Sequence, residues 1–316
     1  MSRGFDPHRP HHFEAATNSR SLARLQVLAA AALFSTGGAA IKAIALTSWQ
    51  IACFRSGIAT VVMLLTMRAA RSGWNARAGL VGLAYAATVL FFVGATRHTT
   101  SANAIFLQST APLYILLLSP WLLRERIRRA DVLFMLAIGG GLSLFFFDPA
   151  VPRTTAPDPA TGNALALAAG VSFAALLMGM RWLGGAAASA PAGARDGSRD
   201  AGALPCVALG NALAFVIALP FALRATPALP ATAGDWALLS FLGAVQIALA
   251  YALLSRGLRR VPAFEASLLL LAEPALNPLW SWLVHGEVPG ALALAGGALI
   301  LGATVAKAAS APAPAT

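Results

Sequence analysis

Glu273 and Asn277 stand four residues apart inside LLAEPALNPLWSW (270–282), a run that is otherwise apolar. That spacing puts the carboxylate and the amide on one face of a helix. Pro274 and Pro278 donate no backbone hydrogen bond, so carbonyls one turn earlier are freed. Strongly polar groups in hydrocarbon are expensive and usually face a partner or a water-filled cavity. The chemistry such groups offer is recognition: freed carbonyls and a kink suit a substrate pathway, and a buried carboxylate can carry a proton. The competing reading is structural, with Glu273 paired to an arginine or a helix end. Glu265, two turns earlier, reads as an interfacial carboxylate.

Other apolar stretches carry similar groups. Phe34, Ser35 and Thr36 occur together; Tyr85, Thr88 and Phe92 form an aromatic–hydroxyl stripe at helical spacing. Asn103, Gln108, Thr110 and Tyr114 share another stretch, and Ser172, Gln246 and Tyr251 lie in two more. From these we take Phe34, Thr36, Tyr85, Thr88, Phe92, Asn103, Thr110, Tyr114, Ser172, Gln246, Tyr251, Glu273 and Asn277 as lining a substrate cavity. Pro112, Pro274 and Pro278 are the expected helix kinks. For any single aromatic residue, packing or lipid contact competes with ligand contact, and Trp280 and Trp282 fit an interfacial belt. Lys42 is expected to snorkel outward. Arg55 lies well inside its stretch and needs a partner, either a carboxylate or helix carboxyl ends.

Catalytic signatures are missing. Gly-x-Ser-Gly, Gly-x-Gly-Asp, paired Glu-Glu and His-Glu-x-x-His do not occur, and His98 and His285 fall at the ends of apolar stretches. The PHRPHH cluster (His8, His11, His12) reads as a solvated tail rather than a metal site, and no cofactor is implied.

The elements that position these groups follow from composition. Of 316 residues 58% are hydrophobic and 11% charged, whereas soluble domains carry roughly 25% charged residues. Apolar runs of about 20 residues, enough to cross a bilayer, recur along the chain. We place ten helices at 24–43, 48–68, 78–96, 101–123, 130–147, 161–183, 202–223, 235–255, 262–284 and 288–308. Residues 1–23 form a polar tail without the apolar core of a signal peptide, 149–160 an external linker and 309–316 a second tail. With ten spans and the amino terminus inside, eighteen Lys and Arg fall on the cytoplasmic side, four outside, and Arg55 within a span. The bias supports both termini being cytoplasmic. It also explains the net charge of +11 without a nucleic-acid partner. Cys53 and Cys206 fall in separate apolar helices and read as packing residues.

The chain also repeats itself. STAPLYILLLSPWLLRERI (109–127) aligns without a gap on LAEPALNPLWSWLVHGEVP (271–289), placing Pro112 on Pro274, Ser119 on Ser281 and Glu125 on Glu287. At the same offset of 162, Gly140 falls on Gly302. Each unit, 24–148 and 161–308, holds five spans, and an odd number turns the two copies in opposite directions. Inverted repeats of this kind suit a carrier with a site between its halves near the bilayer midplane.

Residues 255–305 resemble the signature half of an EamA-type domain in the drug/metabolite transporter superfamily. Glu273, Pro274, Gly286, Glu287, Gly297 and Gly302 match its pattern; the first half keeps Pro112 and Glu125 but has Ala111 and Arg124 in place of the acid and the glycine. FSTGGAAIKAI (34–44), with Lys42 and the later Arg55, is similar to the family's first hairpin. The resemblance implies a ten-span bacterial inner-membrane carrier that exports small metabolites, working as a monomer by alternating access. Its aromatic-rich spans look most like the aromatic amino acid exporters; efflux of cationic, paraquat-like compounds is the alternative, and a passive channel or intramembrane enzyme the remoter ones. The expected partners are a small-molecule substrate and the lipid bilayer. Proton-coupled and uncoupled transport fit the residues equally.

Overall fold

The computed structural model describes residues 10–122, 129–145, 147, 154–188, 203–225, 231–258, 260–261 and 269–309, all helix, turn or connection with no strand among them. Lengthwise the chain forms α1 (Pro10–Ser35), α2 (Gly37–Ala43), α3 (Ser48–Thr66), α4 (Ala76–His98), α5 (Ser101–Gln108), α6 (Ala111–Leu122) and α7 (Arg129–Leu144). The second half contains α8 (Pro159–Ala188), α9 (Ala203–Arg224), α10 (Ala233–Ser240), a π-helical segment (Phe241–Leu249), α11 (Ala250–Gly257), α12 (Ala272–His285) and α13 (Ala291–Ala309). Polar side chains start several of them. Thr47 and Gln50 form a reciprocal capping box on α3, and Thr232 and Asp235 another on α10. Asn75 accepts from Ala78 N at 2.8 Å to cap α4. Asp158 accepts from Thr161 N at 3.2 Å ahead of α8. Hydrogen bonds from Thr161 hold its carboxyl below the ordinary carboxylate range.

Seven helical stretches are long and apolar enough to cross a membrane, and Val132–Leu144 and Ala291–Ala306 are shorter apolar helices. Leu65, Leu133, Leu223 and Leu283, each at least 60% exposed, stand on outer faces where lipid would cover them. Three stretches expected as single helices are interrupted. The first begins at Pro10 rather than residue 24 and breaks at Thr36. The fourth breaks at Ser109–Thr110, between α5 and α6, and the eighth opens into the π segment. Of the ninth, residues 262–268 lie outside the described residues, and Glu265 with them; so do Arg124, Glu125 and the tail bearing His8, while the side chains of His11 and His12 are likewise undescribed.

The breaks respect the sequence repeat. Ser109 (φ −66°, ψ −2°) ends α5 and Leu271 (φ −64°, ψ −13°) precedes α12, in nearly the same conformation and 162 positions apart. Pro112 and Pro274 therefore sit in the first turns of α6 and α12, where a missing N–H costs little. Of the three expected kinks only Pro278 lies inside a helix, as Pro220 does in α9.

Helix pairing follows the same exchange of halves. α4 packs on α8 as α11 packs on α1; α5 and α6 pack on α8 as α12 packs on α1 and α2; α3 packs on α9, and α7 on α13. Gly141 and Gly296 make the last crossing close, since a Cβ on Gly296 would lie 2.6 Å from the Gly141 carbonyl. Gly302, which matches Gly140 in sequence, meets nothing within 4 Å. Cys53 and Cys206 are buried and free.

Candidate functional site

Arg55 projects from α3 into the contact between the halves and is 5% exposed. Its Nη2 donates to Gln246 Oε1 at 3.3 Å, and Gln246 Nε2 donates to the Phe34 carbonyl at 3.2 Å. That carbonyl is in the last turn of α1, where intrahelical donors run out. Gln246 comes from the π segment, a rare geometry that occurs frequently at functional sites. The Phe34 ring meets Tyr251 edge-on at 5.0 Å, and Tyr251 meets Tyr85 edge-on at 6.0 Å. Asn211 Nδ2 donates to Tyr85 Oη at 3.1 Å and to Val207 O at 2.9 Å. The approach of α9 to Tyr85 requires Gly210, whose Cβ would lie 2.6 Å from the Tyr85 ring and 2.8 Å from the Gly82 carbonyl. One cluster of aromatic rings and amides, with one guanidinium, thus draws on α1, α3, α4, α9, the π segment and α11.

A second polar group adjoins the break at Thr36. Ser101 Oγ donates to Asn277 Oδ1 at 2.6 Å and Trp280 Nε1 to Ser35 Oγ at 2.8 Å. Trp280 is thus tied to the protein interior rather than set in an interfacial belt; Trp282, 51% exposed, faces outward. Among the described residues the half-buried Glu273 has no hydrogen-bonded partner, although Tyr251 feels its charge.

The other expected residues are dispersed. Thr36, Thr88, Thr110 and Ser172 donate to carbonyls of their own turns. Phe92 packs into apolar core, and Tyr114 lies against Gly170 of α8. Asn103 donates to Asn163 Oδ1 at 3.3 Å, which also accepts from Thr99 Oγ1 at 2.8 Å.

At the end carrying the connections 44–47, 99–100, 154–158 and 285–290, Lys42 does not snorkel. Its side chain is 5% exposed and pairs with Glu287 Oε1 at 3.1 Å. Lys42 also donates to the carbonyls of Thr99, at 2.9 Å, and Thr155. Glu287 accepts further from Thr155 Oγ1 and Ser101 N, each at 3.3 Å. His285 closes on the Ala39 carbonyl at 2.8 Å. These contacts join α2 to three of these connections over one end of the cluster.

An outward groove of about 520 Å³ between α3, α9 and α10 is lined by Phe54, Ile58, Val61, Phe215 and Trp236. Its polar lining residue, Thr60, spends its hydroxyl on the Ser56 carbonyl, so the groove offers nothing to orient a substrate and is not the site. Among the described residues no set of His, Cys, Asp and Glu is arranged to hold a metal.

Arg55, Lys42, Asn163 and Asn211 were not among the expected lining residues. A lone charge or amide within an apolar stretch was the available signal for each.

The pseudopaline exporters CntI of Pseudomonas aeruginosa strains UCBPP-PA14 and PAO1 are each 27% identical to this chain over 282 residues, covering 86% of it and 91% of the relative. A crystal structure, 21% identical, superposes with a TM-score of 0.58 over 92% of this chain and 97% of the other, a likeness of fold. The profile of the EamA-like transporter family matches residues 21–147 and again 160–306. With both halves matched, the chain belongs to the EamA-like transporter family: it is a multi-pass membrane transporter of small metabolites and not an enzyme.

Proposed function

We propose that this chain is a bacterial inner-membrane carrier of ten spans in two inverted five-helix repeats, with both termini cytoplasmic. It exports neutral, foremost aromatic, amino acids by alternating access. The observation that carries this reading is the cluster of Phe34, Tyr85, Gln246 and Tyr251, built from both halves where helices are broken. Rings at edge-to-face distance suit an aromatic side chain, and an amide tied to a helix-end carbonyl suits a polar headgroup. Exporters of a small metabolite among the relatives support the direction. The Lys42–Glu287 network ties α2 to connections at the end that this orientation places outside. A second reading, efflux of cationic compounds, is favoured by the Glu273 carboxylate, which has no hydrogen-bonded partner among the described residues.

Export in cells separates the two. Cells fed a phenylalanine-containing dipeptide should release phenylalanine faster when they express this chain than when they express Gln246→Leu. Equal release, with protection against a cationic drug instead, would replace the first reading by the second.

A further inference from the structure

Arg55 is 5% exposed, yet its Nε and Nη1 are buried with no hydrogen-bond acceptor, and only Nη2 is used, on Gln246. No carboxylate pairs with it among the described residues, and the described ion pair Lys42–Glu287 lies elsewhere. Guanidinium groups inside a membrane protein are ordinarily matched by a carboxylate or several carbonyls, because an unmatched buried charge is costly. Here the neighbours are neutral: the Gln246 amide and the Tyr85 and Tyr251 rings, both close enough to feel the charge. Gln246 holds one edge of the fork by its oxygen while its nitrogen is fixed on Phe34. The guanidinium is therefore oriented, and because Nη2 carries two protons, one beside the Nε–H and one beside Nη1, the proton that Gln246 leaves free forms with its unpaired neighbour an open edge that grips a carboxylate with two parallel bonds.

Resting on the proposed function, we propose that Arg55 is the specificity-determining residue of the carrier, pairing the open two-bond edge of its guanidinium with the carboxylate of the substrate. The missing counter-ion is supplied by the cargo. The site accordingly takes a molecule with a carboxylate at one end and an apolar or aromatic body that reaches Phe34, Tyr85 and Tyr251. It rejects the same body without the carboxylate, since that would leave Arg55 buried and unpaired.

Melting of the purified full-length protein tests this without assuming which amino acid is carried. Wild type, Arg55→Gln and Arg55→Lys are melted at constant ionic strength with phenylalanine, phenylalaninamide, benzoate, glutamate, histidine, chloride or phosphate. At 100-fold above Kd a carboxylate should raise the wild-type Tm by about 5 °C. The amide should not, and Arg55→Gln should weaken carboxylate binding at least about 100-fold. Arg55→Lys keeps the charge but not the fork and should recover part of the shift. Without ligand, Arg55→Gln should melt at or above the wild-type temperature, because it removes an unmatched buried charge. If glutamate acts through Arg55 but phenylalanine does not, the requirement for an apolar or aromatic body falls; if benzoate does so instead, the amino acid reading falls while the Arg55 assignment stands. Equal shifts with chloride or phosphate, no Arg55-dependent shift with any carboxylate, or an unliganded Arg55→Gln that melts well below wild type would each overturn it.

Discussion

Lys42→Met removes the cation from a buried pair and leaves Glu287 with two neutral donors, Thr155 Oγ1 and Ser101 N. Breaking such a pair from one side costs about 3–5 kcal/mol, mostly for the stranded charge. The two sides are unequal. In Glu287→Gln the ammonium keeps the Thr99 and Thr155 carbonyls, so its loss should lie near the lower figure and that of Lys42→Met near the upper. At about 2–4 °C per kcal/mol for a chain of this size, Tm should fall by roughly 6 °C or more in either variant. Lys42→Met with Glu287→Gln strands no charge and should regain most of the stability, giving a coupling energy of at least about 2 kcal/mol. Tryptophan fluorescence on melting in detergent reads all three variants. Single variants within about 0.5 kcal/mol of wild type, or a double variant equal to the sum of the singles, would refute the buried pairing.

Further outcomes follow from close contacts and unmatched groups. A Cβ on Gly38 would fall on Ser101 Oγ and 2.9 Å from the Asn277 amide, so Gly38→Ala should cost about 1–3 kcal/mol by overpacking. Gly302→Ala meets open space and should stay within about 0.5 kcal/mol; melting both checks the pair. Glu273→Gln removes a carboxylate with no hydrogen-bonded partner among the described residues. It should melt no lower than wild type, and loss of stability would show a structural partner. Asp158 is held below its ordinary value by Thr161, so its cap on α8 is fully made at neutral pH and is lost as pH falls through the folded value. Hydrogen exchange in the first turn of α8 should quicken over that acid window in wild type but not in Asp158→Asn.

Much of the plan was readable before any coordinates. The offset of 162 that places Pro112 on Pro274 also relates the breaks at Ser109 and Leu271, because a proline in a first turn favours an interruption just ahead of it. Phe34, Tyr85, Gln246 and Tyr251 were visible as polar or aromatic groups at helical spacing within apolar runs. Their separation from Thr88, Phe92, Ser172 and Tyr114 was not, since hydropathy does not tell a lining hydroxyl from one bonded to its own turn. The Lys42–Glu287 pair spans 245 residues and depends on the end of α2 meeting three connections. No local pattern encodes that. The π segment also left no mark, as FLGAVQIAL reads like any apolar helix.

Counterflow tests the central claim, carriage through the Phe34–Tyr85–Gln246–Tyr251 cluster, most directly. Proteoliposomes loaded with unlabelled phenylalanine are placed in trace labelled phenylalanine without an ion gradient. Wild type should accumulate label transiently and Tyr251→Ala should not. No accumulation by wild type, or equal accumulation by a folded Tyr251→Ala protein, would contradict the account.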